Sequence, residues 1–235
     1  MSIPVLMYHH ILPKDSFIAS SVENFDKQMR FLSNNGWTTI TSEQFYQYKK
    51  GEISLPKKSV FITFDDGWRD NYIYAYPILK KYNLKATLFV VTQWIEKSSL
   101  MHDCEYIMHK HNRCKLLVST DARSVICTWN ELKQMGDVFD IHAHTYTHRD
   151  EYFQKVIPWE NEFLLSQKLI KDNLGFVDNH LCWPRGIYTK ALVKEAIKQG
   201  FDMLYTTKRG INRPDGNLQE IKRLAVKKEF IYIFK

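Results

Sequence analysis

Two adjacent carboxylates follow the strand that the sequence predicts most strongly. The run 59–64 is apolar at four of its six positions and leads directly into Asp65, Asp66 and Gly67. Neighbouring carboxylates at the mouth of a buried strand repel each other, and their desolvation is costly unless a cation or a proton compensates for it. Because Asp-Asp-Gly is also common turn chemistry, the pair by itself predicts either a cation site or an ordinary turn.

Two histidines stand four residues apart in another predicted loop. His144 and His148 come just after a strand that ends near His142. Two imidazoles at this spacing bind one metal ion if the segment makes a helical turn or folds back, and otherwise they are ordinary surface residues. Together with one carboxylate they would form the two-histidine, one-carboxylate set that suits Zn²⁺, Co²⁺, Ni²⁺ or Fe²⁺. The second carboxylate would then be available as a base.

Strand patterns alternate with helix patterns along the chain, which predicts a mostly parallel sheet with helices outside it. The apolar runs that predict strands lie at 3–8, 37–40, 59–64, 86–91, 139–142, 181–183 and 203–206. The patterns that predict helices lie at 22–34, from 41 onward, after 67 through 79, at 159–174 and at 190–199. In such sheets the functional groups gather at the carboxyl ends of the strands, where both polar clusters fall.

Length and composition restrict the class of protein. The 235 residues are 44% hydrophobic and 14% aromatic, which suits one α/β domain with a large core and excludes a disordered chain. The sequence predicts a single domain over 1–235, with an insertion around 97–127. No run of 18 apolar residues predicts a transmembrane helix, and no signal-peptide pattern is visible, so the expected location is the cytoplasm.

The charged residues indicate which partners to expect, and the cysteines indicate whether disulfides or a second metal site are expected. The net charge is +7, from 33 Lys and Arg against 26 Asp and Glu. The basic residues are scattered, which indicates a solvated surface that favours anionic ligands and no nucleic-acid partner. The four cysteines do not suggest a disulfide framework in a chain of this length. One cluster would suit a second zinc site, although its spacing matches no common zinc module: His102, Cys104, His109, His111 and Cys114.

Three motifs, taken in order, resemble those of a known enzyme family. The segment 63–67 resembles the first motif of the polysaccharide deacetylases, carbohydrate esterase family 4, and 144–148 is similar to the second. The sequence Trp-Pro-Arg-Gly at 183–186 resembles the third, a loop that lines the substrate groove. The resemblance extends from Val5 to about Val226. It implies an α/β fold in the form of a distorted, incomplete (β/α) barrel, and metal-dependent removal of N- or O-acetyl groups from glycans.

The resemblance also implies a role for each motif residue. Asp66, His144 and His148 would hold one divalent ion, with zinc expected and cobalt or nickel as alternatives. Asp65 would be the general base that accepts a proton from the attacking water, and the backbone N–H of Arg185 would stabilise the oxyanion. The expected substrate-binding side chains are that of Arg185 and those of three aromatic residues in or beside the motifs: Trp68, Trp183 and Tyr188.

The sequence departs from the family pattern at two positions of the third motif. Many relatives have an arginine two residues before the proline of this motif, and that arginine orients the base. Here the residue is Cys182, so the support is missing or comes from elsewhere. Arg185 stands where an aromatic residue is usual. Its charge favours either an anionic substrate or a surface ion pair.

The general acid is not where most relatives have it. Most of the family has a late histidine that protonates the leaving amine, whereas no histidine follows His180 in this sequence. The segment 6–10 resembles the start of the poly-N-acetylglucosamine deacetylase subgroup, in which the acid motif lies at the front. His9 is therefore the expected acid, although it would also serve simply to cap the barrel end. His142 and His180 are the alternatives.

These observations predict a metal-dependent hydrolase that removes an acetyl group from a sugar of a cell-surface glycan or its precursor. An N-acetyl group is the leading expectation. An acetylated sugar or glycan is thus the expected partner. Two other functions stay open. The same fold would hydrolyse a small non-sugar amide, or a degenerate barrel would bind glycan without catalysis. The intact set of two aspartates and two histidines argues against the degenerate barrel.

Overall fold

The computed structural model describes residues 2–149, 157–226 and 230–234. Within these ranges the chain forms ten strands: β1 (Val5–Tyr8), β2 (His10–Leu12), β3 (Ala19–Ser21), β4 (Thr38–Thr39), β5 (Ser59–Asp66), β6 (Ala86–Val90), β7 (Phe139–Ala143), β8 (His180–Cys182), β9 (Met203–Tyr205) and β10 (Leu224–Ala225). Eight of them form one curled parallel sheet in the order β10-β1-β5-β6-β7-β8-β9, with β4 paired to the start of β5. β2 and β3 form a separate parallel pair.

Helices cover the outside of this sheet. In the described residues they are α1 (Val22–Asn34), α2 (Ser42–Lys50), α3 (Tyr76–Lys81), α4 (Thr92–Ser99), α5 (His111–Thr120), α6 (Trp129–Gln134), α7 (Trp159–Leu174) and α8 (Lys190–Lys198). Side-chain caps begin several of them: Ser21 accepts from the third backbone N–H of α1, and Thr41 and Thr128 form capping boxes on α2 and α6. None of the described helices is long and apolar enough to cross a membrane.

Three details differ from the sequence predictions. The strand predicted at 37–40 is only two residues long, because the Trp37 N–H still bonds to the carbonyl of Leu32 at the end of α1. The helix predicted after Gly67 begins as a π-helical turn, Asn71–Ala75, before α3. Helices α4, α5 and α6 were not predicted, and the proposed insertion at 97–127 contains all of α5.

The side chains of β5 separate two layers of core. Ile62 and Phe64 pack with the outer helices, whereas Phe61 packs inside the barrel with Phe89 and Tyr205. All eight residues of β5 are buried, as expected for a central parallel strand covered on both faces. The strand therefore delivers its last residues to the carboxyl edge of the sheet from a rigid support.

Two contacts complete the curled sheet. On one side, the segment 218–223 closes the barrel, since Leu204 and Thr206 donate backbone hydrogen bonds to the carbonyls of Leu218 and Ile221. On the other side, β7 and β8 share a single pair of partners, Ala143 and Leu181. Across this weak seam the buried carboxylate of Asp178 accepts a hydrogen bond from the Ala143 N–H at 2.7 Å.

Candidate active site

Asp65 and Asp66 reach one cavity although they are consecutive residues of a strand. Alternation along β5 would direct them to opposite faces of the sheet. The backbone of Asp66 has a φ of 81°, in the left-handed region, and this breaks the alternation so that both carboxylates line the same cavity. Gly67 follows with a φ of 88°, and a Cβ there would lie 2.9 Å from Cδ1 of Ile95. The turn thus requires glycine after the two aspartates.

The side chains of Asp66, His144 and His148 converge. Nε2 of His144 lies 3.4 Å and Nε2 of His148 3.6 Å from Oδ1 of Asp66, and the three possible ligand atoms lie within 4.8 Å of one another. Thr145 and His148 have φ values of 65° and 60°. The segment after β7 therefore folds back, as two metal-binding histidines four residues apart require.

Neighbouring groups aim these ligand atoms. Nδ1 of His144 donates to the carbonyl oxygen of Cys182 at 2.8 Å, so that Nε2 presents its lone pair toward Asp66. The indole N–H of Trp68 donates to Oδ2 of Asp66 at 2.8 Å, which leaves Oδ1 for the two imidazoles. One carboxylate oxygen and two imidazole nitrogens with these supports fit a divalent ion such as zinc, cobalt or nickel.

A buried glutamate that the sequence analysis did not identify fixes the second-motif loop. Glu162 of α7 is fully buried and accepts hydrogen bonds from the backbone N–H groups of Tyr146 at 3.0 Å and Thr147 at 2.8 Å. It also bonds to the Thr147 hydroxyl. In the sequence this residue looks like an ordinary charged position on a helix, because nothing local indicates which loop will pack against it.

The base candidate, Asp65, is held by an arginine from the far end of the chain. Nη1 of Arg223 donates to Oδ1 of Asp65 at 2.7 Å and Nη2 donates to Oδ2 at 2.8 Å, with both side chains buried. Burial acts to raise the pKa of Asp65, but the charge and hydrogen bonds of Arg223 outweigh it, so the pKa lies below its usual value. Nη2 also lies 3.0 Å from Sγ of Cys182. The support absent from the third motif thus comes from Arg223.

A second group of possible ligand atoms, from Asp65, His144 and Cys182, also lies within 4.8 Å. This group is the weaker candidate for a metal ion. Both oxygens of Asp65 already accept from a guanidinium, and a second cation at the same carboxylate would be repelled by the first. The two aspartates therefore have different partners: Asp66 faces the two histidines, and Asp65 is bonded to Arg223.

His9 is the histidine of the amino-terminal pair that reaches the cavity. Its Nε2 lies 3.8 Å from Oδ2 of Asp65, and its side chain is 23% exposed. Burial lowers the pKa of His9 from its usual value, partly opposed by the charges of Asp65 and Asp66. His10 is fully buried, with Nδ1 2.7 Å from Asp70 and Nε2 3.1 Å from Nδ1 of His111.

The two alternative acids do not line this cavity. Nδ1 of His142 donates to Asp178 at 2.7 Å, and Nδ1 of His180 lies 3.0 Å from the hydroxyl of Tyr205. The two imidazoles stack on each other with centroids 4.2 Å apart. Burial and the neighbouring His142 hold the pKa of His180 well below its usual value. Both histidines therefore belong to the packing of the barrel rather than to the cavity.

The third-motif loop brings Arg185 to the cavity through an unusual backbone. Arg185 has a φ of 58° and Gly186 a φ of 66°. A Cβ on Gly186 would lie 2.1 Å from Oγ1 of Thr207, so the loop packs directly on a residue that also lines the cavity. Left-handed backbone at a non-glycine residue is strained and is found disproportionately at functional sites.

The expected sugar-binding aromatic residues are placed differently from the prediction. Trp183 is fully buried and packs on Trp159 and Phe163, so its ring is not available to a substrate in this structure. Tyr188 stacks on Trp183, bonds through its hydroxyl to Glu220, and does not line the cavity. Trp68 does line the cavity, but it is 1% exposed and its indole N–H is already bonded to Asp66. Of the three rings, that of Trp183 is withdrawn into the apolar core although it lies within the third motif.

The cavity has a volume of about 140 Å³. It collects residues from all three motifs and from the insertion, and five of them were not predicted for the site. Its lining is His9, Ile18, Asp65, Asp66, Trp68, Trp94, His111, Lys115, His144, His148, Arg185 and Thr207.

The histidine and cysteine cluster of the insertion does not form a second metal site. Among the residues that the structure describes, neither group of converging ligand atoms includes any of these five side chains. His111 turns toward His10, the Cys114 thiol bonds to the carbonyl of His109, and Cys104 lies beside Arg69. All four cysteines are free thiols.

Comparison with known proteins identifies the family. The family model for polysaccharide deacetylase matches residues 52–204, which includes all three motifs. The chain belongs to the polysaccharide deacetylase family. The family that the motifs predicted is therefore confirmed.

Individual members of the polysaccharide deacetylase family match nearly the whole chain. The putative polysaccharide deacetylase YxkH of Bacillus subtilis is 29% identical over 95% of this chain and 71% of its own length. The poly-β-1,6-N-acetyl-D-glucosamine N-deacetylase of Staphylococcus epidermidis is 25% identical over 94% of this chain and 78% of its own. The predicted likeness to that subgroup is thus confirmed.

The fold of this polysaccharide deacetylase is also shared with solved structures. The Streptococcus pyogenes deacetylase PplD, determined in complex with acetate, matches with a TM-score of 0.79 and 24% identity over 97% of this chain and 94% of its own. The α/β class and the distorted, incomplete (β/α) barrel are therefore confirmed.

Proposed function

We propose that this chain is a metal-dependent deacetylase that removes an N-acetyl group from a sugar of a cell-surface glycan or its precursor. The observation that carries the proposal is a single cavity that combines three converging metal-ligand candidates, an arginine-held carboxylate and a histidine. Membership of the polysaccharide deacetylase family and the likeness to a poly-β-1,6-N-acetylglucosamine deacetylase support it.

Asp66, His144 and His148 would hold the divalent ion. When bound, the ion would polarise the acetyl carbonyl and lower the pKa of a water molecule. Zinc is the proposed ion, with cobalt or nickel as alternatives, because two imidazoles and one carboxylate suit all three.

Asp65 would accept the proton of the attacking water. A base must lie in a fixed position relative to that water, and the two-point bond from Arg223 supplies this orientation. The same arginine favours the ionised carboxylate, which is the form that accepts a proton. Arg223 acts through Asp65 and is a positioning residue.

His9 would donate a proton to the departing nitrogen. An amine leaves poorly as an anion, so a protonated group is required on that side of the substrate. The Nε2 atom of His9 lies 3.8 Å from Oδ2 of Asp65, so the proposed acid and the proposed base would reach the same substrate from adjacent positions in the cavity. The backbone N–H of Arg185 would stabilise the oxyanion of the attacked carbonyl.

The test is release of acetate from short β-1,6-linked N-acetylglucosamine oligomers by the purified chain. We expect no activity after chelation and recovery on addition of Zn²⁺, Co²⁺ or Ni²⁺. The variant Asp65→Asn, which leaves the ligand set intact, is expected to bind metal and release no acetate. Activity that survives full chelation would contradict metal dependence.

A parallel panel of cyclic imides and simple amides distinguishes the small-amide alternative. We expect hydrolysis only of the acetylated sugars, measured as release of acetate for the sugars and as loss of the amide or imide bond for the panel. Turnover of the small amides together with none of any acetylated sugar would replace the proposed function, and metal binding without any turnover would favour a glycan-binding barrel.

A further inference from the structure

His9 stands where the chain passes from one sheet to the other. The pairing of β1 with β5 extends through Tyr8, and the pairing of β2 with β3 begins at His10. The residue between the two pairings is bonded by a side chain instead: the carbonyl oxygen of His9 accepts a hydrogen bond from Nδ2 of Asn71 at 2.9 Å. The position of His9 therefore depends on Asn71 as well as on the two strands.

Asn71 is suited to hold this carbonyl in one place. Its side chain is fully buried, and its Nδ2 also donates to Oδ1 of Asp70 at 3.0 Å. Both neighbours of Nδ2 are acceptors, a carbonyl and a carboxylate, so a reversed amide would place oxygen against oxygen. The amide is therefore fixed in the orientation that donates to His9.

Asp70 holds the residues that follow His9. Its buried carboxylate accepts a hydrogen bond from the Ile11 N–H at 2.7 Å, and its Oδ2 lies 2.7 Å from Nδ1 of His10. The residues before His9 are held by the pairing of β1 with β5. The chain is thus anchored on both sides of His9, and Asn71 holds the residue between the two anchors.

The segment 68–71 also supports the first motif. The indole N–H of Trp68 donates to Oδ2 of Asp66 at 2.8 Å, and the indole stacks on the imidazole of His10 with centroids 4.4 Å apart. Asn71 itself begins the π-helical turn, and such turns occur frequently at functional sites. One short segment therefore relates the position of His9 to that of a metal-ligand candidate.

The exact position of His9 matters for the role proposed for it. A catalytic group has to lie within roughly 0.5 Å of its productive position, and a misplacement of about 1 Å can cost roughly 10²-fold in rate. Because histidine has a short side chain, a displacement of its backbone also displaces the imidazole. A residue that fixes the backbone of His9 would therefore control how well the imidazole reaches the departing nitrogen.

We propose that Asn71 is a positioning residue, which holds the imidazole of His9 at the cavity through its hydrogen bond to the carbonyl of His9. The proposal rests on the proposed deacetylase function and adds to it a residue that lies outside the three motifs. Loss of Asn71 should impair those substrates whose leaving group needs a proton and leave the others nearly unaffected.

The first test compares an amide with an activated ester. Asn71→Ala should lower kcat for short β-1,6-linked N-acetylglucosamine oligomers by about 10- to 100-fold. Hydrolysis of para-nitrophenyl acetate and the affinity for Zn²⁺ should stay nearly unchanged, because that leaving group needs no proton and the ligand set is intact. Asn71→Leu, which keeps most of the volume without the donor, should show the same selective loss. An equal loss on both substrates in both variants would overturn the proposal.

The double variant of Asn71→Ala and His9→Ala shows whether Asn71 acts through His9. If it does, the double variant should hydrolyse the amide as slowly as His9→Ala alone, since residues that act as a unit are not additive. A further loss in the double variant, as large as that of Asn71→Ala alone, would mean that Asn71 acts independently of His9 and would overturn the proposal.

Ser98→Ala is the matched control. Ser98 is also fully buried, and its hydroxyl donates to a backbone carbonyl of another segment, that of Ile126 at 2.8 Å, but it does not line the cavity. Its loss should lower stability and change the hydrolysis of amide and ester in equal proportion. A selective loss of amide hydrolysis in Ser98→Ala would overturn the proposal, because any buried hydrogen bond would then have the same effect.

A measurement without turnover separates failure of this proposal from failure of the proposed function. The imidazole NMR signal of His9, identified by its absence in His9→Ala, should shift in Asn71→Ala and stay in place in Ser98→Ala. If it does so but the unchanged chain hydrolyses no acetylated sugar, the hold on His9 stands and the proposed function is wrong. If acetylated sugars are hydrolysed but the signal does not shift in Asn71→Ala, the proposed function stands and the role of Asn71 is wrong.

Discussion

Arg223 and Asp65 are 158 residues apart in the chain and form a buried ion pair with two parallel hydrogen bonds of 2.7 and 2.8 Å. Asp65 is the penultimate residue of β5, a central strand of the sheet, and Arg223 directly precedes β10. The pair joins the first motif to the last strand of the sheet. Since both side chains are buried, neither can replace its partner with bulk water.

Removal of Arg223 should therefore affect both stability and turnover. Arg223→Gln is expected to lower the free energy of unfolding by about 3–5 kcal/mol, because it leaves a buried carboxylate without its partner. Arg223→Lys keeps the charge but not the paired geometry, so it should retain more stability while losing turnover. Urea unfolding and acetate release measure the two effects.

The double variant of Asp65→Asn and Arg223→Gln is the control for this prediction. Because the two residues act as a pair, its loss of stability should be smaller than the sum of the two single losses. Additive losses would show that the ion pair does not couple the two side chains.

The metal-ligand assignment predicts a graded loss of affinity. Asp66→Ala, His144→Ala and His148→Ala should each lower the affinity for Zn²⁺ by an order of magnitude or more. Trp68→Phe keeps the ring but removes the N–H that bonds to Asp66 at 2.8 Å, and it should weaken binding by about 10-fold. Titration with Zn²⁺ measures each affinity. If Asp65→Asn lost the metal while Asp66→Asn kept it, the two aspartates would have to exchange roles.

His9→Ala is expected to reduce the turnover of an N-acetyl substrate by roughly 10²–10⁴-fold, the usual contribution of a general acid. Metal content should not change. An activated acetyl ester, whose leaving group needs no proton, should be hydrolysed by the variant nearly as fast as by the unchanged chain. Parallel assays on the amide and the ester provide the measurement.

His10→Gln is the matched variant for His9. Because His10 is buried between Asp70 and His111, its loss should lower stability and affect the amide and ester assays equally. A selective loss of amide turnover in the His10 variant, with none in the His9 variant, would mean that the acid is the other histidine.

Gly186→Ala should be far more damaging than the same change at Gly175. Both glycines have positive φ, 66° and 85°, but a Cβ at 186 would lie 2.1 Å from Thr207 and a Cβ at 175 would meet nothing within 4 Å. Gly175→Ala should cost only the left-handed backbone, about 1–2 kcal/mol. Gly186→Ala should cost more and also reduce turnover. Equal losses of stability in the two variants would contradict this prediction, because they would mean that the 183–186 loop shifts away from Thr207 at no cost.

Stability should decrease as the pH falls from about 6.5 to about 4. The pKa of His111 is lowered to about 4 in the folded chain, by burial and then by His10, whereas an unfolded histidine titrates near 6.5. Between these values the unfolded chain binds a proton that the folded chain does not, which favours unfolding. His111→Gln should remove about 1–2 kcal/mol of this pH-dependent loss, allowing for solvent screening.

Urea unfolding at pH 7, 5.5 and 4 measures this effect. His102→Gln is the control, because His102 is an exposed histidine of the same insertion, and it should leave the slope with pH unchanged. An unchanged slope in His111→Gln would contradict the prediction.

The metal-ligand candidates could be predicted from the sequence because each lies in a short motif at the carboxyl end of a strand. Asp66, His144 and His148 all lie at the carboxyl edge of a parallel sheet, and the order of strands brings such edges together. The alternation of strands and helices was sufficient to predict the parallel sheet with helices outside it. The barrel form and the choice of Asp66 over Asp65 as the metal ligand came from the resemblance to the family.

The supports of the site could not be predicted in this way. Arg223 and Glu162 act across long sequence distances, and a single sequence does not show which buried loop or carboxylate will meet them. The positions of the two third-motif rings could not be predicted either, since the ring of Trp183 is buried in the core and Tyr188 packs on it. Lys115 was missed because α5 lies in the insertion, which has no motif to place it.

The closure of the barrel by the segment 218–223 has a consequence for the order in which activity is acquired. All three metal-ligand candidates and the third-motif loop precede residue 190, so a chain whose closing segment has not docked already contains them. Only docking of that segment brings Arg223 to the base and joins β9 to the opposite edge of the sheet. The chain should thus acquire metal affinity early during folding and turnover late. The time at which activity appears would then report when the closing segment docks.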